Sequence, residues 1–181
     1  MQKSVRTLLF LVSLLFLYTT MYAEVKVPAE IKFNNEVYKK AYQDGNGAAS
    51  NKVTEYLRSG ETLEKFDKMF SIWEYPGAKD VKTFTGNLIK NPNYSNTVTP
   101  REIMENDAGT ETMVSVIVTA GNVSEYNLYR ILMRDGHVVT YQFSYRIYEK
   151  TGTAAYKKWI ENINKNEMGW FNAMASMKDI K

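Results

Sequence analysis

Residues 123–148 read VSEYNLYRILMRDGHVVTYQFSYRIY, and this stretch decides the fold. Two runs rich in aromatic and aliphatic residues meet at Asp135-Gly136. This dipeptide favours a two-residue type I′ turn, because both central residues of that turn need a positive φ. With that turn, Arg134 lies opposite His137 and the register of every other pair follows. The sequence therefore predicts a long antiparallel β-hairpin.

The predicted register sorts the hairpin into two different faces. The first face is apolar apart from one arginine and one serine, and it contains the pairs Leu132–Val139, Arg130–Tyr141, Leu128–Phe143, Tyr126–Tyr145 and Ser124–Ile147. The second face is mostly polar and closes with the opposite-charge pair Glu125–Arg146. A shift by one residue would destroy this sorting, so the pattern fixes the register. We expect only the first face to be buried.

The first 23 of the 181 residues have the pattern of a secretory signal peptide. Lys3 and Arg6 precede the apolar run 8–18, and Ala23 offers a small residue at a cleavage site. The apolar run is short for a membrane span, which needs about 20 residues. The chain has no cysteine to carry a lipid. We therefore expect residues 24–181 to form one domain, periplasmic or secreted, with no membrane span after cleavage.

Composition excludes several classes of partner and stabilising device. The whole chain has a formal charge of +3, and loss of the two signal-peptide cations leaves the mature protein nearly neutral. No cluster of Lys and Arg alternates with aromatic residues, which argues against nucleic-acid binding. Without cysteine, disulfides are impossible, and a packed core must supply the stability.

The rest of the chain predicts further strands followed by helices. Strands are expected at 29–33, 36–44, 51–58, 101–106 and 112–120, the last being apolar on both faces and therefore central in the sheet. Helical spacing of apolar residues predicts helices over 62–73, over 78–91 more weakly, and over 153–177 with a bend or break near Gly169. These elements predict an α+β fold in which helices cover one side of an antiparallel sheet of five to seven strands.

Three stretches resemble the PsbP-like fold family of small exported proteins. They are EYLRSGETLEKF at 55–66, the hairpin segments 125–130 and 141–146, and the closing helix around Asn166, Trp170 and Met174. The resemblance implies an α+β sandwich with a binding or accessory role, and it supplies no catalytic residue.

Arg130 is the most informative single residue of the chain. The register places it on the buried face opposite Tyr141, where an isolated charge would be costly. We expect its guanidinium to stack on an aromatic ring and to meet a carboxylate from Glu55, Glu61 or Glu64. Such an arrangement would serve as a link between sheet and helix, or as part of a pocket for an anion or a partner.

Aromatic residues provide two further candidate binding surfaces. Exposed rings of Tyr129, Tyr148 and Tyr156 would indicate a protein interface. A cavity between sheet and helices would instead be lined by Phe66, Phe70, Trp159 and Tyr141, with Arg130 as the contact for an anion.

Few residues offer catalysis or metal binding. His137 is the single histidine, and its place beside the turn predicts an exposed residue without an orienting partner. One histidine and no cysteine argue against a structural zinc site. The acidic stretch Glu102, Glu105, Asp107 and Glu111 is expected to be a solvated loop, with a carboxylate-based hydrolase as the alternative. We expect no cofactor and no metal.

The sequence thus favours a non-enzymatic exported protein that binds a protein partner, such as an assembly factor or a toxin-immunity protein. A small-molecule or lipid binder is the alternative hypothesis, and a hydrolase is the third.

Overall fold

The computed structural model describes residues 27–45, 49–90 and 99–178, which form eight strands and two helices. The elements in chain order are β1 Glu30–Phe33, β2 Glu36–Asp44, β3 Lys52–Leu57, β4 Lys68–Tyr75, α1 Val81–Ile89, β5 Thr99–Glu105, β6 Glu111–Ala120, β7 Val123–Arg134, β8 His137–Ile147 and α2 Ala154–Ser176. The predicted signal peptide, residues 1–23, lies outside the described residues.

All eight strands join one antiparallel sheet in the order β1-β2-β3-β4-β8-β7-β6-β5. The chain therefore makes two four-stranded meanders, β1–β4 and β5–β8, which meet where β4 pairs with β8. The predicted α+β class is confirmed, with more strands than the five to seven expected. Strand β6 is paired on both sides but lies next to the edge strand β5, away from the centre predicted for it.

The β7–β8 hairpin has the predicted register along its whole length. Arg134 pairs with His137, Arg130 with Tyr141, and Ser124 with Ile147. Asp135 and Gly136 have φ values of 47° and 77°, as both central residues of a type I′ turn require. The two faces of the hairpin are thus the predicted ones.

Both faces of the hairpin are nevertheless largely buried, so the prediction of a single buried face is wrong. The reason is that the two helices pack on opposite sides of the sheet and not on one side. Helix α2 covers the apolar face, which we call the α2 face, and its core includes Phe33, Tyr38, Phe70, Leu128, Tyr141, Phe143, Trp159, Trp170 and Met174. Helix α1 covers one end of the opposite face, which we call the α1 face. Val81 of the helix packs there against strand residues, namely Val114, Val116, Tyr129, Ile131 and Val138.

The helix predicted over 62–73 is absent, and residues 68–75 form strand β4 instead. Its apolar residues at helical spacing belong to two different faces of the sheet. Phe70 packs in the core under α2, whereas Met69 packs with Leu57 and Phe66 on the α1 face. A strand covered on both faces is a nearly continuous apolar run, which helical periodicity fits equally well.

The two remaining helices lie where they were predicted, and each begins with a side-chain cap that the sequence analysis did not propose. The carboxylate of Asp80 accepts a hydrogen bond from the Thr83 amide at 2.6 Å, and the Thr153 hydroxyl accepts one from the Tyr156 amide at 3.2 Å. Helix α2 continues through Gly169, so the break proposed there does not occur. Neither of the two helices in the described ranges is long and apolar enough to cross a membrane.

Candidate functional site

Arg130 is buried on the α2 face, where it contacts a carboxylate, a backbone carbonyl and an aromatic ring. Its Nε and Nη2 donate to the two carboxylate oxygens of Glu111 at 2.8 and 3.1 Å, and its Nη1 donates to the Met177 carbonyl at 2.8 Å. The guanidinium carbon lies 6.0 Å from the centroid of the Tyr141 ring. The contact with an aromatic ring and a carboxylate was predicted. The carboxylate was not, because Glu111 of β6 takes the place expected for Glu55, Glu61 or Glu64.

These contacts make Arg130 a link between the sheet and the end of α2. The bidentate pair joins β7 to β6, and the third hydrogen bond satisfies a carbonyl just after the last turn of the helix. The predicted pocket around Arg130 is not assembled, because Phe66 packs on the α1 face while Phe70, Trp159 and Tyr141 are packed in the α2 core.

The three tyrosines proposed as an interface do not form one surface. Tyr129 is only 6% exposed on the α1 face, and Tyr156 packs against the core on the α2 face. The hydroxyl of Tyr148 accepts from the Phe66 amide at 3.0 Å and donates to the Phe66 carbonyl at 3.2 Å. Tyr148 thus holds a loop, and of the three only Tyr129 borders the site described below.

His137 is buried, which corrects the prediction that it is exposed. Its side chain is 2% exposed, and its Nε2 lies 3.6 Å from a carboxylate oxygen of Glu74, itself 8% exposed. Glu74 pairs with Val139, and His137 lies two residues before Val139 on β8. Side chains two residues apart on a strand point to the same face, so His137 and Glu74 both face α2. The imidazole therefore sits against strand β4 and not in solvent. The described residues contain no group of three histidine or carboxylate side chains placed to hold a metal ion.

The acidic stretch 102–111 does not gather its described carboxylates at one point. Glu105 pairs with Thr112 on the α1 face, and Glu105 and Asp107 are both exposed. Glu111 points to the opposite face and binds Arg130. The side chain of Glu102 lies outside the described part of the molecule. This arrangement gives no support to the hydrolase alternative.

A second ion pair joins the sheet to α2, and the sequence pattern did not predict it. Arg101 of β5 donates from Nε and Nη2 to Glu167 at 3.1 and 2.9 Å, and the Ser115 hydroxyl donates to the same carboxylate at 2.8 Å. Burial alone would raise the pKa of Glu167, but these hydrogen bonds outweigh it and hold the pKa below its usual value. Edge strand β5 is thereby fastened to the helix.

The α1 face has a polar strip that neither α1 nor the loop 58–67 covers. Helix α1 covers the end near the hairpin turn, and Phe66 in the loop packs over Leu57 and Met69 at the other end. Between them lies a surface that we call the polar trough. Its residues come from β3, β4, β7 and β8 and are Glu55, Trp73, Glu125, Asn127, Gln142, Ser144 and Arg146.

Hydrogen bonds connect the centre of the polar trough across three strands. The indole Nε1 of Trp73 donates to Gln142 Oε1 at 3.1 Å, and Gln142 Nε2 donates to Asn127 Oδ1 at 2.7 Å. The Ser144 hydroxyl donates to the same Asn127 oxygen at 2.7 Å and accepts from Gln142 Nε2 at 3.1 Å. Each side chain therefore fixes the orientation of the next.

Charged groups occupy the end of the polar trough near the 58–67 loop. Arg146 donates to Glu125 from Nε and Nη2, both at 2.6 Å, and its guanidinium carbon lies 3.9 Å from the centroid of the Phe66 ring. Burial and the nearby Glu125 carboxylate raise the pKa of Glu55, and Arg146 offsets part of that shift. Arg146 thus binds Glu125 directly and acts on Glu55 only through its charge.

The polar trough opens into a groove of about 180 Å³ beside β6. The groove is lined by Val118, Ala120, Val123, Glu125, Asn127, Tyr129, Gln142 and Arg146. A second, larger groove of about 600 Å³ lies between the end of β8 and the first half of α2, and its lining includes Tyr145, Arg146, Lys158, Trp159, Asn162 and Lys165. The predicted register placed Asn127, Gln142 and Arg146 together on the polar face, which was the sequence signal for this site.

A protein-family model matches residues 25–178, and the chain belongs to that family. No curated protein matches the chain. A crystal structure of PA94, a protein of unknown function from Pseudomonas aeruginosa, is similar with a TM-score of 0.45 and 12% sequence identity. That similarity covers 82% of this chain and 94% of PA94. At this level of similarity it supports no statement about function.

Proposed function

We propose that this family member is a non-enzymatic, exported binding protein that recognises a protein partner through the polar trough. The observation that carries the proposal is a sheet surface without a covering helix whose polar side chains are already held in place by one another. Trp73, Gln142 and Asn127 are connected in series, and Arg146 is fixed by Glu125 and Phe66. Such a surface loses little side-chain entropy on binding, which favours affinity.

The other strongly polar groups support the same proposal because they already have structural partners. Arg130 binds Glu111, Arg101 binds Glu167, and His137 lies against Glu74. A general base needs a free position next to a reacting group, and these contacts leave the pairs engaged in holding strands and helix together. Export rests on the signal-peptide pattern of residues 1–23, and the expected mature protein begins at Glu24.

A photo-crosslinking experiment tests the proposal in the native host. A photoreactive phenylalanine derivative replaces Trp73 in the trough, and in a matched control it replaces Met168, which is 56% exposed on α2. We expect one protein to be crosslinked from position 73 and not from position 168. Mass spectrometry of the same samples reports whether the chain starts at residue 24. The proposal is wrong if the two positions give the same pattern, or if neither captures a protein.

The larger groove beside α2 supports a second candidate function, the binding of a small molecule. Its volume of about 600 Å³ falls within the range of ligand pockets, and aromatic and cationic side chains line it together. Native mass spectrometry of protein purified from its host would show a bound mass. That mass should disappear when the exposed Ala155 in the lining is replaced by tryptophan, which fills the groove. Protein that carries no bound mass before substitution would remove this candidate.

A further inference from the structure

Trp73 sets the orientation of the two side-chain amides in the polar trough, those of Gln142 and Asn127. An indole N–H is a donor only, so the atom of Gln142 that faces it at 3.1 Å must be the oxygen Oε1. The amide nitrogen of Gln142 then points along the sheet to Asn127, at 2.7 Å. The Asn127 atom that accepts this hydrogen bond must be its oxygen Oδ1, because an amide nitrogen is a donor and cannot accept.

Asn127 is thereby left with its amide nitrogen directed away from β8. Its Oδ1 accepts from both Gln142 and the Ser144 hydroxyl, which uses the lone pairs of that oxygen inside the trough. The other neighbour of β7 is β6, where Val116 pairs with Asn127 and Val118 with Glu125. Asn127 is only 2% exposed, yet it lines the groove of about 180 Å³ on that side. Because Oδ1 takes the hydrogen bonds inside the trough, the amide nitrogen is the polar atom of Asn127 that is left to face the groove.

The remaining walls of the groove define what could accept that hydrogen bond. Val118, Ala120 and Val123 provide an apolar wall. Glu125 and the nearby Glu55 outnumber the single cation Arg146, which already binds Glu125. An anionic acceptor would be repelled by this charge balance, whereas an uncharged carbonyl oxygen would not. The groove is smaller than a usual small-molecule pocket, so it suits one amino-acid residue better than a whole metabolite.

We propose that this groove binds an uncharged secondary amide carrying a short apolar group, presented by an extended segment of the protein partner. The carbonyl oxygen accepts from Asn127 Nδ2, and the apolar group packs on Val118 and Ala120. This inference rests on the proposed function, because it names the chemistry by which the polar trough recognises its partner. It adds that recognition depends on the Asn127 amide nitrogen pointing into the groove, an orientation that Trp73 determines although Trp73 does not line the groove.

The test reverses the amide series without changing Asn127. In Gln142→Glu, one carboxylate oxygen still accepts from Trp73, and the other needs a donor from Asn127. Asn127 must then rotate, so that its nitrogen faces position 142 and its oxygen faces the groove. The probe is N-acetyl-alanine N′-methylamide, titrated into ¹⁵N-labelled residues 24–181 while the side-chain amide signal of Asn127 is followed by NMR. We expect Gln142→Glu to weaken binding of the probe about tenfold or more.

Two controls make the outcome specific. Asn127→Asp keeps the oxygen that Gln142 and Ser144 require but removes the donor, so it should also lose binding of the probe. For this variant, binding is followed through the backbone amide signals of Val118 and Ala120 in the groove wall. Acetate, a charged relative of the amide, should not shift the Asn127 signal at the same concentration. Thermal unfolding of each variant shows whether the fold survives, and Trp73→Phe, which frees both amide orientations, provides a milder variant with intermediate affinity.

The outcomes separate this inference from the proposed function. If position 73 crosslinks a partner, and Gln142→Glu in the protein that keeps Trp73 leaves the probe affinity unchanged, the amide inference is overturned while partner binding stands. If the wild-type protein does not bind the probe at all, the inference is overturned as well. If N-acetylglucosamine shifts the Asn127 signal and the peptide probe does not, the ligand is an amino sugar and the proposed peptide source is wrong.

Discussion

Replacement of Arg130 by methionine tests whether the buried guanidinium holds the end of α2. The substitution keeps the length of the apolar chain but removes two hydrogen bonds to Glu111 and one to the Met177 carbonyl. Removal of one partner from a buried ion pair costs about 3–5 kcal/mol. Because the Glu111 side chain is 27% exposed, water can hydrate its carboxylate once the guanidinium is gone. We therefore expect the free energy of unfolding to fall by about 3 kcal/mol, the lower end of this range. For a domain of this size that corresponds to a fall in Tm of about 6–12 °C.

Glu111→Gln and the double variant complete the experiment. Urea unfolding followed by circular dichroism gives the free energy of unfolding of all four proteins. A coupling energy of about 1–3 kcal/mol is expected, because the two side chains are in direct contact. Hydrogen exchange adds a readout of position, since only Arg130→Met removes the bond to Met177 and should expose the last turn of α2. A fall in Tm below about 2 °C, or strictly additive effects, would refute the reasoning.

Three further substitutions have clear expected effects on stability. Gly169→Ala should raise the free energy of unfolding by about 1 kcal/mol in a urea titration, because an added Cβ meets open space on an exposed part of α2. Gly45→Ala should lower Tm with a cost of about 1–3 kcal/mol, because φ is +107° and the Cβ would lie 2.6 Å from the Asn51 oxygen. Glu167→Gln should lower the free energy of unfolding at neutral pH. The pKa of Glu167 is lowered in the folded protein, so its carboxylate contributes to stability above the unfolded pKa of about 4.3. The difference between the variant and the wild type should therefore shrink as the pH falls below that value and the carboxylate becomes protonated.

The hairpin was predictable because its information is local. The turn dipeptide and the period-two sorting of side chains fix the register, and the pairs from Arg134–His137 to Ser124–Ile147 are as expected. Strand β4 was misread because apolar residues are buried on both of its faces, Phe70 under α2 on one and Met69 under Phe66 on the other. Which of two periods applies to such a run depends on partners far away in the sequence, and the sequence pattern alone does not contain them.

The candidate site was predictable only in part, for the same reason. The predicted register correctly placed Asn127, Gln142 and Arg146 together on the polar face of the hairpin. Their hydrogen bonds depend on Trp73, however, and the sequence pattern had assigned Trp73 to a helix and not to the sheet. Arg130 was expected to be buried with a carboxylate, yet identifying Glu111 requires the register between β6 and β7. The burial of His137 depends on β4 in the same way, because Glu74 lies on that strand.

The seam between β4 and β8 has a consequence for how the chain folds. Each meander is built from neighbouring strands, so its contacts form with short loops and little loss of chain entropy. Among the strand pairs of the described sheet, the seam joins the residues most distant in sequence, from Lys68 with Tyr145 to Tyr75 with Val138. We expect two locally formed halves to associate in the slowest step, with β4 and β8 in the folding nucleus. In an exported chain, the first meander would wait with an unpaired β4 edge until the second has emerged.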